Sequence, residues 1–381
     1  MQHALKPLPS QPTNKLPGLE ALRFLTAFAI LVFHYRHFAF VGDKPAGLVV
    51  ERLPLYGLLQ PFHDSGAFGV WIFWCISGFI FFWKYRDPIA ERSVGGWKFF
   101  VLRLSRLYPL HLVTLLAVAL LQSVYFNLHG CFFVYQDNDL PHFLTQLFMA
   151  SEWGITQGYS FDGPIWSISV EVLVYLLFFL MLRATRSWLL NVAIVAACLG
   201  APSLNAGGQV TNCLALFYIG GLAAIARRAV TATRFERPIE AGAWLAITVV
   251  GPFVVFLLRD RLDDFAMPLF VTYTPILLFC LSREISLPRL LQRAIEAAGN
   301  MTYSSYLLHF PLQLVIVLCF ALAGRPVPVY GGALFTVYLL TTLLLSYFTF
   351  RYFEAPAQRF VRAAFNTERA TQDGIRRASS V

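Results

Sequence analysis

Charge is what this sequence has least of. Only 13% of its 381 residues are Asp, Glu, Lys or Arg, where an ordinary soluble domain carries about 25%. That shortage excludes a typical water-soluble globular enzyme. The 21 acidic residues are outnumbered by 30 basic ones, yet the basic residues are scattered over many short segments and form no single patch, which excludes a nucleic-acid surface. Six cysteines show neither metal-ligand spacing nor the pattern of a disulfide framework. No internal repeat and no second domain can be read. Residues 1–18 hold Pro7, Pro9, Pro12 and Pro17 and no apolar core, so they predict a cytoplasmic tail in place of a cleavable signal.

What is abundant is apolar. The chain is 57% hydrophobic with 36 Phe, and its mean hydropathy is +0.60. Ten apolar runs, roughly 20–40, 67–84, 104–127, 164–182, 188–205, 210–226, 239–258, 265–281, 303–322 and 331–350, predict ten transmembrane helices. An even number places both termini on one side. On that assignment 24 Lys and Arg flank the side of the termini and 6 the other, so both termini are expected in the cytoplasm. The loop 128–163 agrees: it has no Lys or Arg but holds Asp137, Asp139, Glu152 and Asp162. The expected fold is an all-α polytopic bundle, one transmembrane domain over 19–360 between tails 1–18 and 361–381. Loops 41–66 and 128–163, the longest outer connections, are expected to lie over the bundle and shape an outer site.

Ionisable groups inside such runs are expensive and mark function. Arg23 and His34 stand eleven residues apart in the first run. At ~100° and ~1.5 Å per residue they share one helix face, roughly 16 Å apart along the axis, about half the depth of a bilayer core. Arg103 and Arg106, three apart at the start of the third run, neighbour each other on a helix and suit bidentate contact with phosphates. Positive-inside flanking explains the same pair without a ligand. Glu171 lies about two turns into the fourth run, with Ser167 four residues before and Tyr175 four after, which predicts an inward polar stripe. Pro164 fits the first turn and Trp166 an interface belt. Ser77 and Gly78 suit close helix approach. Tyr303, Tyr306, His309 and Pro311 put a second histidine in the ninth run beside a helix-perturbing proline. Glu354 and Pro356 predict a helix terminator with an ion pair at the end of the last run.

Together these segments resemble the membrane-bound acyltransferase 3 family over about residues 16–360. Arg23 and His34 match its Arg-x10-His. Arg103, Arg106, Tyr108 and Pro109 match its Arg-x-x-Arg with following Tyr-Pro. Ser77, Gly78 and Phe79 match its Ser-Gly-Phe, and Trp166, Ser167, Ser169 and Glu171 its Trp-Ser-x-Ser-x-Glu. Tyr303, Tyr306, Leu307, His309 and Pro311 match the motif near its ninth span. Many relatives carry a second Glu after the first in the fourth-span motif; Val172 stands there in this chain.

The resemblance implies an O-acyltransferase of the bacterial cytoplasmic membrane. It implies acyl-CoA, most often acetyl-CoA, as co-substrate, with no permanently bound cofactor and no metal. The implied acceptor is a hydroxyl of a carbohydrate or glycoconjugate such as exopolysaccharide, O-antigen or Nod factor. The expected partners are therefore the donor, the glycan or glycolipid acceptor and the bilayer, with a homo-oligomer left open. On this reading His34, Arg23 and Glu171 are catalytic, Arg103 and Arg106 hold the CoA phosphates, and Trp166, Ser169, Ser77, Tyr303 and His309 line the cavity or meet the acceptor. His34, with an unperturbed pKa near ~6.5, suits a general base. Glu171 is expected to orient its ring or stabilise its charged form. A transient acyl-histidine is an open alternative. The competing expectation is a proton-coupled transporter or flippase using the same His and Glu, although paired broken helices and repeat halves are not evident.

Overall fold

Within a bilayer every backbone N–H and C=O must be satisfied by its own segment or a closed barrel, so long apolar runs fold as helices. The computed structural model describes residues 16–204 and 207–365. Among the described residues nine helices are long and apolar enough to cross a membrane, and a shorter apolar helix spans Trp188–Leu204. These ten coincide with the ten apolar runs. Most of the two expected tails, residues 1–15 and 366–381, lies outside the described residues; Pro17 and Gly18 already belong to the first helix, and residues 361–365 continue the last.

α1 (Pro17–His34) carries Pro17 and Glu20 in its first turn, where a fixed φ and a negative charge both favour a helix start. A 3-10 turn (Tyr35–Ala39) prolongs it. A two-residue hairpin follows, β1 (Phe40–Val41) with β2 (Lys44–Pro45), antiparallel with Phe40 opposite Pro45. Next come α2 (Tyr56–Ser65) and α3 (Gly69–Ala90). α2 lies where the sequence suggests only loop, because Gly57 and Pro61 dilute its apolar signal. α4 (Gly96–His129) has 34 residues; at roughly 51 Å it outruns a hydrocarbon core of about 30 Å. It ends at Gly130, whose φ of 71° suits glycine.

α5 (Leu140–Leu147) starts at Asp139, whose carboxylate accepts the His142 N–H at 3.0 Å. Then follow α6 (Ile165–Ala184), α7 (Trp188–Gly200) and α8 (Gln209–Val230). α9 (Glu236–Leu245) runs through a π-helical stretch, Ala246–Val250, into α10 (Gly251–Leu257). α11 (Leu262–Leu281), α12 (Arg289–Asn300), α13 (Thr302–Leu322) and α14 (Gly332–Thr349) complete the chain. The expected terminator at Pro356 does not stop the last helix. A π-helical stretch, Phe350–Glu354, precedes the proline and the helix continues to Phe365; the wider turn relieves the clash that the ring makes in a regular helix.

Two cores hold the bundle. In one, α3 and α8 touch backbone to backbone: a Cβ at Gly78 would overlap the Phe217 carbonyl, and one at Gly220 the Cys75 carbonyl, so glycine is what permits the approach. Phe79, Phe82, Phe178 and Phe217 pack around that seam. In the other, Leu31, Tyr35, Leu115, Phe310 and Tyr338 from α1, the 3-10 turn after it, α4, α13 and α14 meet Phe133 of the long loop. That loop is pinned to α4 by Gln122, which donates to the Phe133 carbonyl and accepts from its N–H, both at 2.9 Å. It also touches the other long loop, since the Val134 N–H donates to the Gly42 carbonyl at 3.1 Å.

Candidate functional site

Because neighbouring spans alternate in direction, the start of α1, the end of α3, the start of α4, the end of α8 and the start of α13 gather at one end of the bundle. This basic end holds a cavity of about 780 Å³, within the roughly 300–1,000 Å³ of small-molecule sites. Arg23 reaches it from α1, donating to Glu20 at 2.8 Å and to the Thr302 hydroxyl at 3.1 Å. Arg103 and Arg106 both line it but diverge. Arg106 is ion-paired with Glu354, whose side chain is 2% exposed and also accepts from Ser304 at 2.6 Å. Arg103 donates to the Tyr85 hydroxyl at 2.8 Å and lies over the rings of Phe81 and Tyr85, 4.9 and 5.1 Å from their centroids. The expected side-by-side guanidinium pair is therefore split: one arginine is matched by a carboxylate, the other is held by aromatic faces.

Glu171, Ser77 and Tyr303 line the same cavity. Ser77 and Tyr175 share a hydrogen bond of 3.1 Å, and Glu171 lies beside both, in electrostatic reach of Arg103 and Arg23. Lys84, Arg228 and Arg362 add three further cations to the wall. Each arises at a helix end that sequence alone reads as plain positive-inside flanking.

The opposite end holds a second cavity of about 670 Å³, bordered by the two long loops. His34, His37 and Trp166 line it together with Asp43, Tyr135, Asp137 and Tyr159. His34 Nδ1 is 2.9 Å from the Ile30 carbonyl oxygen. A carbonyl only accepts, so Nδ1 carries the proton and Nε2 keeps a lone pair, the form a general base needs. The His34 ring lies 4.9 Å from the rings of both His37 and His309. Gln313 joins this group, donating to the His34 carbonyl at 2.7 Å and accepting from His37 Nδ1 at 3.2 Å. His309 donates from Nδ1 to the Tyr306 carbonyl at 2.7 Å.

Several expectations need correction. No hydrogen bond joins Glu171 to His34 among the described residues; the Ile30 carbonyl orients the imidazole, because Glu171 lies in the wall of the other cavity. Ser169 lines neither cavity. It is fully buried, and its hydroxyl accepts the Glu152 N–H at 3.1 Å while its carbonyl accepts from Trp153, so it anchors the long loop. His309 is also fully buried and stands behind His34 instead of lining the cavity. Sequence reasoning missed His37, although its spacing of three from His34 is a same-face signal. Asp162 was seen only as loop charge. It is fully buried, and burial pushes its carboxyl up to about 7, partly offset by the Thr114 hydroxyl.

The two cavities abut: Val70 and Tyr306 line both. α1 serves the two of them, with Arg23 in one and His34 in the other.

Comparison with known proteins identifies the family. Residues 16–351 match the acyltransferase 3 family model, described as an acyltransferase domain. Acyltransferase MdmB of Streptomyces mycarofaciens is 29% identical over 196 residues, 49% of this chain and 46% of that protein. The match thus spans less than half the length of that curated relative. No solved structure matches the chain. With a family match across nearly all the described spans and ten apolar helices to carry it, the chain belongs to the acyltransferase 3 family of multi-pass membrane acyltransferases.

Proposed function

We propose that this protein is an O-acyltransferase of the bacterial cytoplasmic membrane, moving an acetyl group from acetyl-CoA to a hydroxyl of a carbohydrate or glycoconjugate. The observation that carries the proposal is the pairing of a cation-lined cavity with a histidine-lined one that abuts it. The basic end faces the cytoplasm, as the skew of Lys and Arg favours. There Arg103, with Arg23 nearby, meets the CoA phosphates, and Arg106 contributes a charge that it shares with Glu354. Glu171 acts on this donor side, balancing the cations around the thioester arm.

The acceptor enters from the loop end. Tyr135, Tyr159 and Trp166 offer ring faces, and Asp43 and Asp137 offer oxygen acceptors, the combination that suits a sugar's apolar faces and hydroxyl rim. His34 Nε2 takes the proton of the attacking hydroxyl. The hydroxyl oxygen bonds to the thioester carbonyl carbon, the C–S bond breaks, and the proton passes on to the departing thiolate. The test is mass spectrometry of exported glycans from a strain lacking this gene. Loss of acetyl groups, restored by the wild-type gene, is expected; unchanged glycans overturn the carbohydrate acceptor.

A further inference from the structure

Water is the acceptor that this enzyme must refuse. In aqueous surroundings it exceeds any glycan hydroxyl in concentration. Yet the base, His34, lines the loop-end cavity, where it would activate water as readily as a sugar. The thioester would be hydrolysed without product unless something keeps water from it.

Only two side chains among the described residues line both cavities, Val70 and Tyr306. Val70 is 6% exposed and Tyr306 8% exposed. The Tyr306 hydroxyl is tied to the Ser167 hydroxyl at 2.8 Å, and Ser167 is itself 5% exposed and lines the basic-end cavity. The ring is thereby stretched from α13 to α6 across the junction. Its backbone carbonyl also receives His309 Nδ1 at 2.7 Å, and the His309 ring rests against His34. Tyr306 thus forms the wall between the cavities together with Val70 and also holds the imidazole that backs the base.

We infer that Tyr306, latched to Ser167, is the partition that makes this enzyme choose an acceptor hydroxyl over water. The inference rests on the acetyl-CoA reading above. With the latch closed, the thioester in the basic-end cavity is separated from His34 and from the water that His34 could activate. Transfer takes place when the ring yields to an acceptor seated against Trp166 and Tyr159. If the partition is removed, water takes the hydroxyl's place. Its oxygen bonds to the thioester carbonyl carbon, the C–S bond breaks, one proton passes by way of His34 to the thiolate, and acetic acid and free CoA leave.

The experiment incubates purified full-length protein in detergent with acetyl-CoA and no acceptor, and follows free CoA by chromatography. Tyr306→Ala is expected to release CoA about tenfold faster than wild type, as expected when water gains entry to a dry site. Ser167→Ala and Tyr306→Phe, which remove only the latch, are expected to release it about threefold faster. Adding His34→Ala to Tyr306→Ala should return the rate to background. A general packing defect would lower glycan acetylation and CoA release together, whereas loss of the partition moves them in opposite directions. If wild type acetylates glycans in cells but none of the three variants releases CoA faster than it does, the partition is wrong and the acyltransferase reading stands. If wild type neither acetylates glycans nor binds acetyl-CoA, that reading fails and the partition with it. Should Tyr306→Ala not fold, the two latch variants decide the outcome.

Discussion

The two cavities of this protein are made in different ways. The basic-end cavity is walled by helices and by charges of which three are matched by carboxylates: Arg23 with Glu20, Arg106 with Glu354, Arg228 with Asp87 at 2.8 Å. The loop-end cavity is bordered by irregular chain, and the imidazoles in and behind its wall are held by carbonyl and amide oxygens. The contrast fits two tasks. Binding a phosphorylated donor needs fixed cations whose desolvation is offset by partners and ring faces. Moving a proton needs a ring whose tautomer is set by a neutral acceptor, with its other nitrogen unengaged. The cations gather at one end and the imidazoles at the other.

The largest effect expected from breaking this contrast is at His34. His34→Ala should lower glycan acetylation at least a hundredfold, in line with loss of a general base, with the protein present in membranes at normal amount. Activity within a few fold of wild type would remove the proposed base.

Next comes the matched pair. Arg106→Ala leaves the buried Glu354 carboxylate without its partner and should cost about 3 kcal/mol of stability, at the low end for breaking a buried pair because Arg106 is 24% exposed. Thermal unfolding in detergent measures it. Arg106→Met combined with Glu354→Leu should recover much of that loss. If Arg106→Ala alone is as stable as wild type, the pair is not structural.

Arg103 sharpens the comparison within the same cavity. Its guanidinium rests on rings, so Arg103→Ala should change stability little yet raise the apparent KM for acetyl-CoA about tenfold, the scale of one charge-assisted contact. An unchanged KM would assign the phosphates elsewhere.

Last comes Asp162, in the loop that borders the other cavity. Burial places its folded-state carboxyl near 7, against an ordinary 3.8. A folded value above the unfolded one gives a contribution to stability that is whole below about pH 4 and is lost as pH rises toward about 7. Asp162→Asn should therefore raise the unfolding temperature over wild type at about pH 8, with a smaller gain at about pH 5. Equal gains at both would mean that the carboxyl is already ionised in the fold.

Helix-borne features were the legible ones. Arg23 and His34 share a face because eleven residues close almost three turns, and both do reach the interior of the bundle. Ser77, Glu171, Trp166 and Tyr303 also reach a cavity, each flagged as a polar or amphipathic group inside an apolar run. Ser169 was flagged by the same rule and instead secures the loop, since sequence spacing gives a direction around the helix but not what stands there. Glu354 and Arg106 are 248 residues apart, and no local pattern joins them. α2 and the Gln122 clasp on Phe133 were hidden in segments without periodicity.

The sequence by itself determined that this chain crosses a membrane about ten times and which helix faces carry costly polar groups, because hydropathy and helical period are local properties written in every run. Only the tertiary structure decided that those groups divide between two cavities, that Glu171 and His34 fall on different sides of the division, and that Tyr306 stands in it. The physical reason is that packing is cooperative among distant segments: where two side chains meet depends on how closely glycines such as Gly78 and Gly220 let their helices approach, and no single segment contains that distance.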